Sequence, residues 1–425
     1  MRKDRVHRLV SIFLAIAAVA ALTVRQGAKV DWDMQWPTWH GAPSDAAPQF
    51  ASDFASSATD RFVHAASIAA LPDGRLLSVW FGGSREGAGD VNIFGALYDP
   101  AARRWGEERV LATTRDTALA LRRFVRKLGN PVVSQAPDGK LWLFYVSVSM
   151  GGWAGSALNA SHSLDGGASW SAPRRLITSP FFNISTLVKG TPFYYRDGSI
   201  GLPVYHEFLG KFAELLRLDS DGNVLDKVRI SHGTQSLQPV IVASGPADAV
   251  ALMRYAGGHP KRLLTSHTRD GGSHWQRPGK VAVANSNAAV SAVRMPNGAI
   301  LGVMNDLDDG RHRLSLLVSR DDGDSWRRLT ELEDSADFGG DRVPRQAYTP
   351  ALQQKMLDSS SRSPSLWARY RAKLDRRVCS DSGCRFVFDY PFMIQAPDGE
   401  YHIVYSWNKS FIKHVRFNQA WVDTL

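Results

Sequence analysis

One eight-residue phrase occurs three times in this chain. It reads SLDGGASW at residues 163–170, TRDGGSHW at 268–275 and SRDDGDSW at 319–326. Its common form is Ser/Thr-x-Asp-x-Gly-x-x-Trp. The hydroxyl and carboxylate can bond nearby backbone N–H groups, glycine tolerates a left-handed backbone, and tryptophan can pack against the turn. The phrase therefore predicts a closed turn, and its repetition predicts a repeat architecture.

A second repeating signal is a short turn between two alternating apolar runs. Asp-Gly or Asn-Gly pairs lie at residues 73–74, 138–139, 197–198, 297–298 and 398–399, and a related turn, with no Gly after its Asp, lies at 245–248. Each turn is followed by a strand-like run, which is the pattern of a β-hairpin. Six hairpins predict an all-β, six-bladed β-propeller.

The spacing of the three phrases agrees with six blades. The interval from Asp165 to Asp270 is about twice the interval from Asp270 to Asp321, so one blade between them lacks a complete phrase. Asp219 lies near the midpoint and is the expected remnant. Asp99 with Trp105 is a candidate remnant in the first blade. We expect a strand from near the start of the body to close the last blade, because closure removes an exposed edge.

Two segments interrupt this rhythm. Residues 117–128 and 363–377 are rich in Arg and Lys and predict two short helical insertions between blades. The second begins with Ser363-Pro364, which is a typical helix start.

The first 24 residues fit an export sequence. Basic residues precede an apolar run from Leu9 to Val24, which is shorter than the roughly 20 residues of a spanning helix. A signal peptide is favoured over an uncleaved anchor in the inner membrane, and either places the body outside the cytoplasm as a periplasmic, secreted or anchored protein. Residues 25–58 are rich in Ala, Pro, Ser and Asp and predict a linker. The propeller is then expected over 59–425.

The net charge indicates the class of binding partner, and the cysteines indicate the cellular compartment. A net charge of +10 suggests an anionic partner, but no nucleic-acid motif accompanies it, so nucleic acid is not expected. Cys379 and Cys384 are separated by four residues and predict a small disulfide loop, which needs an oxidising compartment. Further metal ligands do not cluster near the two cysteines, so we expect no metal site. We also expect no cofactor and a monomeric protein.

The repeated phrase resembles the Asp-box of sialidases, which are six-bladed propellers. The resemblance spans about residues 60–420 and is closest to a bacterial branch of predicted neuraminidases with BNR-type repeats. That branch shares the motifs His-x-x-Ser-Ile, Glu-Gly-x-x-Asp, Gln-Pro, Asn-x-Asn and Tyr-Pro found here. It implies an exported exo-glycosidase that removes a terminal acidic sugar from a glycan or polysaccharide. In that family three arginines bind the carboxylate of the sugar, a Tyr is the nucleophile, a Glu takes its proton, and an Asp is the acid/base.

The resemblance assigns roles to individual residues. Tyr390 matches the nucleophile and Asp90 the acid/base. Arg254 and Arg311 match two of the three arginines, with Arg313 as a competing match for the latter. The remaining substrate-side matches are Arg85, Glu86, Asn285 and Asn287, the two Asn offering amide hydrogen bonds to sugar hydroxyls.

Three positions depart from the family pattern. His64 occupies the place of the first arginine, Gln238 the place of the Glu beside Tyr390, and Ser406 the place of another Glu. A Gln cannot act as a base, so the charge relay is incomplete. Glu207 could substitute if its strand end faces the centre. His64 is expected to extend a positive patch only when it is protonated.

Two other functions fit the same residues. One is a non-catalytic carbohydrate-binding propeller that serves polysaccharide assembly or surface attachment. The other is a glycan lyase that uses Tyr390 with His64 or His206. The directions of the Asp90, Tyr390 and Glu207 side chains discriminate between hydrolysis and binding.

Overall fold

The computed structural model describes residues 10–12, 15, 32–35, 46–179, 183–233, 235–338, 340–359, 363–371 and 379–425. The chain divides into two units, Met1–Trp32 and Asp33–Leu425. Residues 10–12 and 15 of the first unit are helical. Within these described ranges, no helix has the length and apolar character needed to cross a membrane. Most of the predicted export segment 1–24 lies outside the described residues.

The second unit is a six-bladed β-propeller of antiparallel sheets. Blade 1 contains β2 (Phe62–Ala70), β3 (Leu76–Gly83) and β4 (Asn92–Asp99), with β5 (Arg104–Trp105) and β6 (Arg109–Ala112) both on β4. Blade 2 contains β7 (Lys127–Gln135), β8 (Leu141–Val148), β9 (Ser156–Ser163) and β10 (Arg174–Arg175). Blade 3 contains β11 (Leu187–Val188) and β12 (Phe193–Tyr194), both paired with β13 (Ile200–His206), followed by β14 (Phe212–Leu218) and β15 (Val224–Arg229).

The remaining blades follow the same up-and-down order. Blade 4 contains β16 (Ser236–Ala243), β17 (Ala249–Tyr255), β18 (Arg262–Thr268) and β19 (Gly279–Ala284). Blade 5 contains β20 (Ser291–Arg294), β21 (Ile300–Met304), β22 (Arg313–Ser319) and β23 (Arg327–Asp334). Blade 6 contains β26 (Phe388–Gln395), β27 (Tyr401–Trp407) and β28 (Phe411–Phe417). Inner strands of neighbouring blades contact one another around the centre of the ring. In blade 3, β13 makes this contact with β16 of blade 4.

Blade 6 is closed by β1 (Phe50–Phe54), which pairs antiparallel with β28 from Phe50 opposite Phe417 to Phe54 opposite Lys413. The predicted closure by an early strand is therefore confirmed. This strand lies inside the range 25–58 that was predicted as a linker, so that part of the prediction is wrong. Phe54 is 1% exposed and packs against Trp407 and Phe411, which gives the strand an apolar anchor that its Ala- and Ser-rich context does not reveal.

Each complete phrase connects the third and fourth strands of a blade. In the third copy, Ser319 Oγ donates to Asp321 Oδ1 (2.8 Å) and accepts from Gly323 N (2.8 Å). Asp321 Oδ1 also accepts from Ser325 N (2.9 Å), and Trp326 Nε1 donates to Gly323 O (2.9 Å). The turn is thus closed by hydrogen bonds that the phrase itself supplies.

The predicted remnants occupy equivalent turns in the other blades. Asp219 lies between β14 and β15 and accepts from Asn223 N (2.7 Å). Asp99 ends β4 and accepts from the backbone of Ala101 and Ala102. Both carboxylates keep turn-closing contacts. No Trp follows Asp219 in its turn, whereas the buried Trp105 of β5 follows Asp99.

The helical insertions differ from the predicted ones. Helix α1 spans Thr114–Leu121, earlier than 117–128, because Thr113 caps its start and Arg122 ends it in a left-handed conformation. Between blades 5 and 6 lie α2 (Arg345–Leu357), which was not predicted, and α3 (Ser363–Arg371). Residues 372–377 of the predicted second helix are outside the described residues. A last helix, α4, spans Gln419–Val422.

The insertion before blade 6 also carries the disulfide. Cys379 and Cys384 are bonded to each other and belong to the paired short strands β24 (Cys379–Ser380) and β25 (Gly383–Cys384). Cys384 is buried against the apolar cluster that includes Tyr348 and Phe386. The bond ties this hairpin into a packed part of the insertion.

Replacing Ser319 by Ala is expected to destabilise the propeller. The Gly323 N–H would lose its acceptor in a buried turn, so the free energy of unfolding should fall by about 1–3 kcal/mol. Replacing the exposed Ser325, whose hydroxyl only supplements the turn, is the matched control and should cost less than about 0.5 kcal/mol. Equal urea unfolding midpoints for the two variants would contradict this role for the phrase.

Candidate active site

The candidate residues lie on one face of the ring. Because the strands alternate in direction, the connections between second and third strands open to the same face as the connections between blades. Residues 84–91, 149–155, 207–211, 256–261, 305–312 and 408–410 form the first kind of connection. We call this the site face. The Asp-Gly turns and the Ser/Thr-x-Asp phrases lie on the opposite face.

Each blade has a left-handed residue near the start of its first strand. These residues are Ala65, Asn130, Ser185, Gln238, Asn287 and Tyr390, with φ between 46° and 61°, and blade 4 has a second one at Gln235. A left-handed backbone is costly for residues other than Gly, so its recurrence around the ring indicates a functional constraint.

In four blades this residue coincides with a β-bulge. The register shifts between His64 and Ser67, Gly129 and Val132, Leu237 and Val240, and Asp389 and Phe392. Three of these bulges contain a proline, which has no N–H for the ladder and is tolerated there. The bulges re-aim the side chains of Gln238 in blade 4 and Tyr390 in blade 6, which touch each other although blade 5 lies between their blades.

The phenol of Tyr390 is held by two donors. Gln238 Nε2 lies 3.1 Å and Arg254 Nη1 lies 3.3 Å from the Tyr390 oxygen. Arg254 Nη1 also donates to Gln238 Oε1 (3.1 Å). Because a guanidinium can only donate, this contact fixes the amide of Gln238 with its NH2 towards Tyr390. Gln238 therefore donates to the phenol oxygen and cannot accept its proton.

Arg254 carries a charge that neutral groups surround. Its Nε donates to Asn287 Oδ1, and its other contacts are Gln238 and Tyr390. Among the residues that the structure describes, no carboxylate lies within ion-pair distance of Arg254. Glu207 is the acidic group that acts on it, at longer range. The half-buried guanidinium is thus available to an anionic ligand.

Arg311 is bound to the protein's own carboxylate. Its Nη1 donates to the fully buried Asp389, its Nη2 donates to Asn287 O (3.0 Å), and its guanidinium lies 5.6 Å from the Tyr390 ring centre. The competing candidate, Arg313, instead pairs with Asp306 at 3.0 Å. The structure therefore places Arg311, and not Arg313, beside Tyr390.

Asp389 is the centre of a buried ion cluster. Lys409 Nζ lies 3.3 Å and His64 Nδ1 lies 3.6 Å from its carboxylate oxygens. Burial alone would raise the pKa of Asp389, but the positive charges of Lys409 and Arg311, together with the hydrogen bond from Arg311, hold that pKa far below its ordinary range. The carboxylate is therefore ionised and joins blades 1, 5 and 6.

His64 is neutral here, which corrects the expectation that it extends the positive patch. Burial and the adjacent Lys409 lower the pKa of His64 well below its ordinary value. Lys409 Nζ lies 3.3 Å from His64 Nε2 and can only donate, so the proton is on Nδ1, which donates to Ser406 Oγ (2.8 Å). The Arg and Glu of the family pattern are thus replaced by a touching His–Ser pair, and Lys409 supplies the positive charge.

The loop that contains Arg85 and Asp90 lies on the site face but outside this cluster. Asp90 accepts hydrogen bonds from Ser84 N and Ser84 Oγ, both at 2.9 Å, and is exposed, as is Arg85. Within the described residues neither contacts Tyr390. Burial lowers the pKa of Arg311, but Asp389 and, to a smaller extent, Glu86 of this loop raise it, and the net shift is upward.

Glu207 and Asn285 lie beside the cluster. Burial raises the pKa of Glu207, which Arg254 and Lys211 partly offset, and its backbone N–H donates to Ser185 Oγ (2.8 Å). The described contacts include no hydrogen bond between Glu207 and Tyr390. Asn285 is fully buried and its Oδ1 accepts from Ala288 N (3.2 Å), so it shapes the loop that positions Asn287.

Several neighbours of Tyr390 were missed by the sequence reasoning. Lys189 and Lys409 are isolated in the sequence, and Asp389 is hidden beside the Tyr-Pro motif. Asn130 donates to Tyr205 OH (3.0 Å), which lies 3.4 Å from Gln238 Nε2. The usable signal was the pattern X-Pro at the start of three first strands, which marks Asn130 as the equivalent of Gln238 and Tyr390.

Lys189 is a buried lysine that contacts the two residues after Tyr390. Its Nζ donates to Pro391 O (3.1 Å) and lies 4.8 Å from the Phe392 ring centre. Burial lowers its pKa from 10.5 to about 7, and Asp389 partly opposes this. Lys189 and the ion cluster thus hold the Asp389–Pro391 segment from both ends.

This burial predicts a pH dependence of stability. Between pH about 7 and 10.5 the unfolded state holds a proton on Lys189 that the folded state does not, so the free energy of unfolding should rise with pH. In Lys189→Met that contribution, at most about 1.4 kcal/mol per pH unit, should vanish. Urea unfolding at pH 7.5, 8.5 and 9.5 measures it. Lys140→Met, at a surface lysine paired with Asp138 and Asp221, is the control, and a slope unchanged in Lys189→Met would contradict the burial effect.

The fold and site can now be compared with known proteins. The family model described as a BNR repeat-like domain matches residues 74–403. A comparison with curated protein sequences gave no match.

Three solved structures show the same fold. They are the Hadza microbial sialidase Hz136 (15% identity, TM-score 0.58, 83% of this chain and 65% of that one), the NanB sialidase from Streptococcus pneumoniae (10%, 0.59, 86% and 69%) and the intramolecular trans-sialidase from Ruminococcus gnavus in complex with oseltamivir carboxylate (13%, 0.59, 87% and 97%). The chain spans slightly less than two thirds of the first of these. At such identities the likeness concerns the sialidase-like propeller fold.

Proposed function

The chain belongs to the BNR repeat-like domain family, and from that premise we propose that it acts on glycans ending in an acidic sugar, as an exo-glycosidase of sialidase type. The observation that carries the proposal is the pairing of Arg254 with the Tyr390 phenol. An anion-binding group without a carboxylate partner in the described structure touches a potential nucleophile. Arg311 and Lys409 add positive charge, so the site favours a ligand that carries a carboxylate.

The proposed reaction assigns one role to each group. Arg254 and Arg311 bind the sugar carboxylate, and the Tyr390 oxygen attacks the anomeric carbon while the bond to the leaving group breaks. Asp90 donates the proton to the leaving oxygen, which requires it to release Ser84. Glu207, whose pKa is raised by burial, accepts the phenol proton in place of the missing Glu. Water then hydrolyses the glycosyl–Tyr intermediate and regenerates the phenol.

Export is part of the same proposal. The Cys379–Cys384 bond is stable outside the cytoplasm, and the composition of residues 1–24 supports either a signal peptide or an anchor in the inner membrane. The partner is an acidic glycan or polysaccharide, and the protein acts as a monomer, without nucleic acid.

A non-catalytic binding function is favoured by one specific contact. Gln238 donates to the phenol oxygen, so the group closest to Tyr390 keeps the phenol as a hydrogen-bond partner and does not remove its proton. A propeller that binds an acidic glycan without cleaving it would use Arg254, Asn287 and Tyr390 in the same geometry. The lyase alternative has less support, since His64 is buried and lies against Lys409.

The Tyr390→Phe variant separates these functions. If Tyr390 is the nucleophile, hydrolysis of aryl α-glycosides of acidic sugars should fall by more than about a thousandfold, while affinity for the free sugar changes little. Tyr205→Phe is the matched control, because Tyr205 also contacts Gln238, and should lose less than about tenfold. Turnover that persists in Tyr390→Phe would exclude the Tyr mechanism, and no turnover by the native chain would leave the binding function.

A further inference from the structure

Exposed apolar side chains are concentrated on one half of the site face. Leu119, Phe124, Met150, Phe208 and Leu209 are between 54% and 79% exposed. They lie in the connections that lead from blade 1 to blade 2 and across blades 2 and 3. We call these five residues the apolar rim. Such side chains at neighbouring loop tips mark an interaction surface.

The other half of the site face, on blades 4 and 5, has ion pairs in place of exposed apolar side chains. Its described connections 256–261, 285–290 and 305–312 contain no large apolar side chain that is exposed. Asp308 and Asp309 lie there, paired with Arg262 and Lys261. The apolar rim is therefore a feature of blades 1 to 3 that these three connections do not share.

The loops of the apolar rim are joined to each other. Ser149 Oγ donates to Phe124 O (2.6 Å), and Arg126 N donates to Val148 O (2.8 Å). Phe124 and Met150 therefore project from two segments that are hydrogen-bonded together. Gly151 has a φ of 72°, and its added Cβ would meet nothing within 4 Å, which agrees with an open turn at this tip.

Arginines flank the apolar rim. Arg115, Arg122, Arg123 and Arg126 are exposed and belong to α1 or to the segment that follows it. Within the described residues none of the four forms an ion pair, and Asp116 is the acidic residue of that helix. Arg123 is close enough to Arg175 to lower the pKa of that guanidinium, after the larger effect of burial. This side of the protein therefore presents net positive charge beside bare apolar side chains.

We propose that the apolar rim docks on an anionic lipid bilayer, so that the site receives acidic sugars carried by membrane glycolipids. Phe, Leu and Met side chains can enter the boundary between headgroups and acyl chains, while the arginines contact anionic headgroups. Charge complementarity favours a bilayer as the partner. The exposed arginines beside the apolar rim are positive, and the headgroups of an anionic bilayer are negative. The glycolipid substrate rests on the proposed function, whereas the docking does not.

Docking is tested with a fluorophore that reports on one position. The two native cysteines are bonded to each other, so Met150→Cys in the full chain introduces the thiol to be labelled with an environment-sensitive dye. Leu164→Cys, at a site 77% exposed in the opposite face, is the matched control. Vesicles contain phosphatidylcholine alone or phosphatidylcholine mixed with phosphatidylglycerol, whose negative surface charge attracts basic segments.

The dye at position 150 should shift to the blue and be quenched by brominated lipids in anionic vesicles, and the dye at 164 should not. This readout separates docking from attachment through the N-terminal segment, since a tether alone would move neither dye into the bilayer. Equal responses at both positions, or none at 150, would overturn the proposal. Equal responses at 150 in neutral and anionic vesicles would overturn the role of the arginines.

The arginines are tested by charge reversal. Arg122→Glu with Arg123→Glu should weaken the response at position 150 by at least about tenfold in lipid concentration. Arg269→Glu with Arg320→Glu, exposed in the opposite face, should leave it unchanged. An equal effect of both pairs would mean that only net charge matters and would contradict a docking face.

The substrate class is tested by comparing two presentations of the same sugar. A Phe124→Ser, Met150→Ser variant should hydrolyse a water-soluble aryl glycoside at the native rate and lose more than about tenfold on an acidic-sugar glycolipid in vesicles. Equal loss on both substrates, or no loss on vesicles, would overturn the glycolipid assignment. If the native chain hydrolyses neither substrate, the proposed function fails while the dye measurement still decides docking.

Discussion

The buried carboxylate of Asp389 is the interaction on which the centre of the ring depends. It binds Arg311 from blade 5, lies beside His64 from blade 1 and pairs with Lys409 of its own blade. A lone buried anion would be costly, and removing one of its partners would leave such an anion behind. The next residue is Tyr390, so the ion cluster fixes the backbone that presents the phenol. Lys189 Nζ donates a hydrogen bond to Pro391 O in the same segment.

The strained first strands explain how residues from distant blades meet. A left-handed residue at the start of each first strand turns its side chain out of the regular alternation. Gln238 and Tyr390 use this conformation to touch each other, and Asn287 uses it to meet Arg254. In blades 2, 4 and 5 the hydrogen bonds of the repeated phrase hold the outer turns closed. The stability of the folded blades thus compensates for the unfavourable backbone conformation of these residues.

The architecture could be predicted from the sequence, because blades repeat and each repeat carries a turn with its own chemistry. Three phrases and six hairpins predicted the number of blades, and Tyr390, Gln238, Arg254 and Asn287 were brought into register by the family pattern. Helix α2 was not predicted, because Pro350 lies inside it and Pro344 gives no side-chain cap. The neutral state of His64 and the buried Lys189 depend on burial from several blades at once. Lys409 and Asp389 are single residues outside any repeated pattern, so only the folded chain brings them together.

The account is tested most directly by measuring how Arg254 contributes to the binding of a carboxylate. Calorimetric titration should compare an acidic sugar with its neutral methyl ester, for the native chain and for Arg254→Gln. Loss of a charge-assisted hydrogen bond predicts at least about tenfold weaker binding of the acid and little change for the ester. Arg313→Gln, at the arginine paired with Asp306, should bind both like the native chain. An equal loss of both ligands in Arg254→Gln would contradict the account, because Arg254 would then only support the fold.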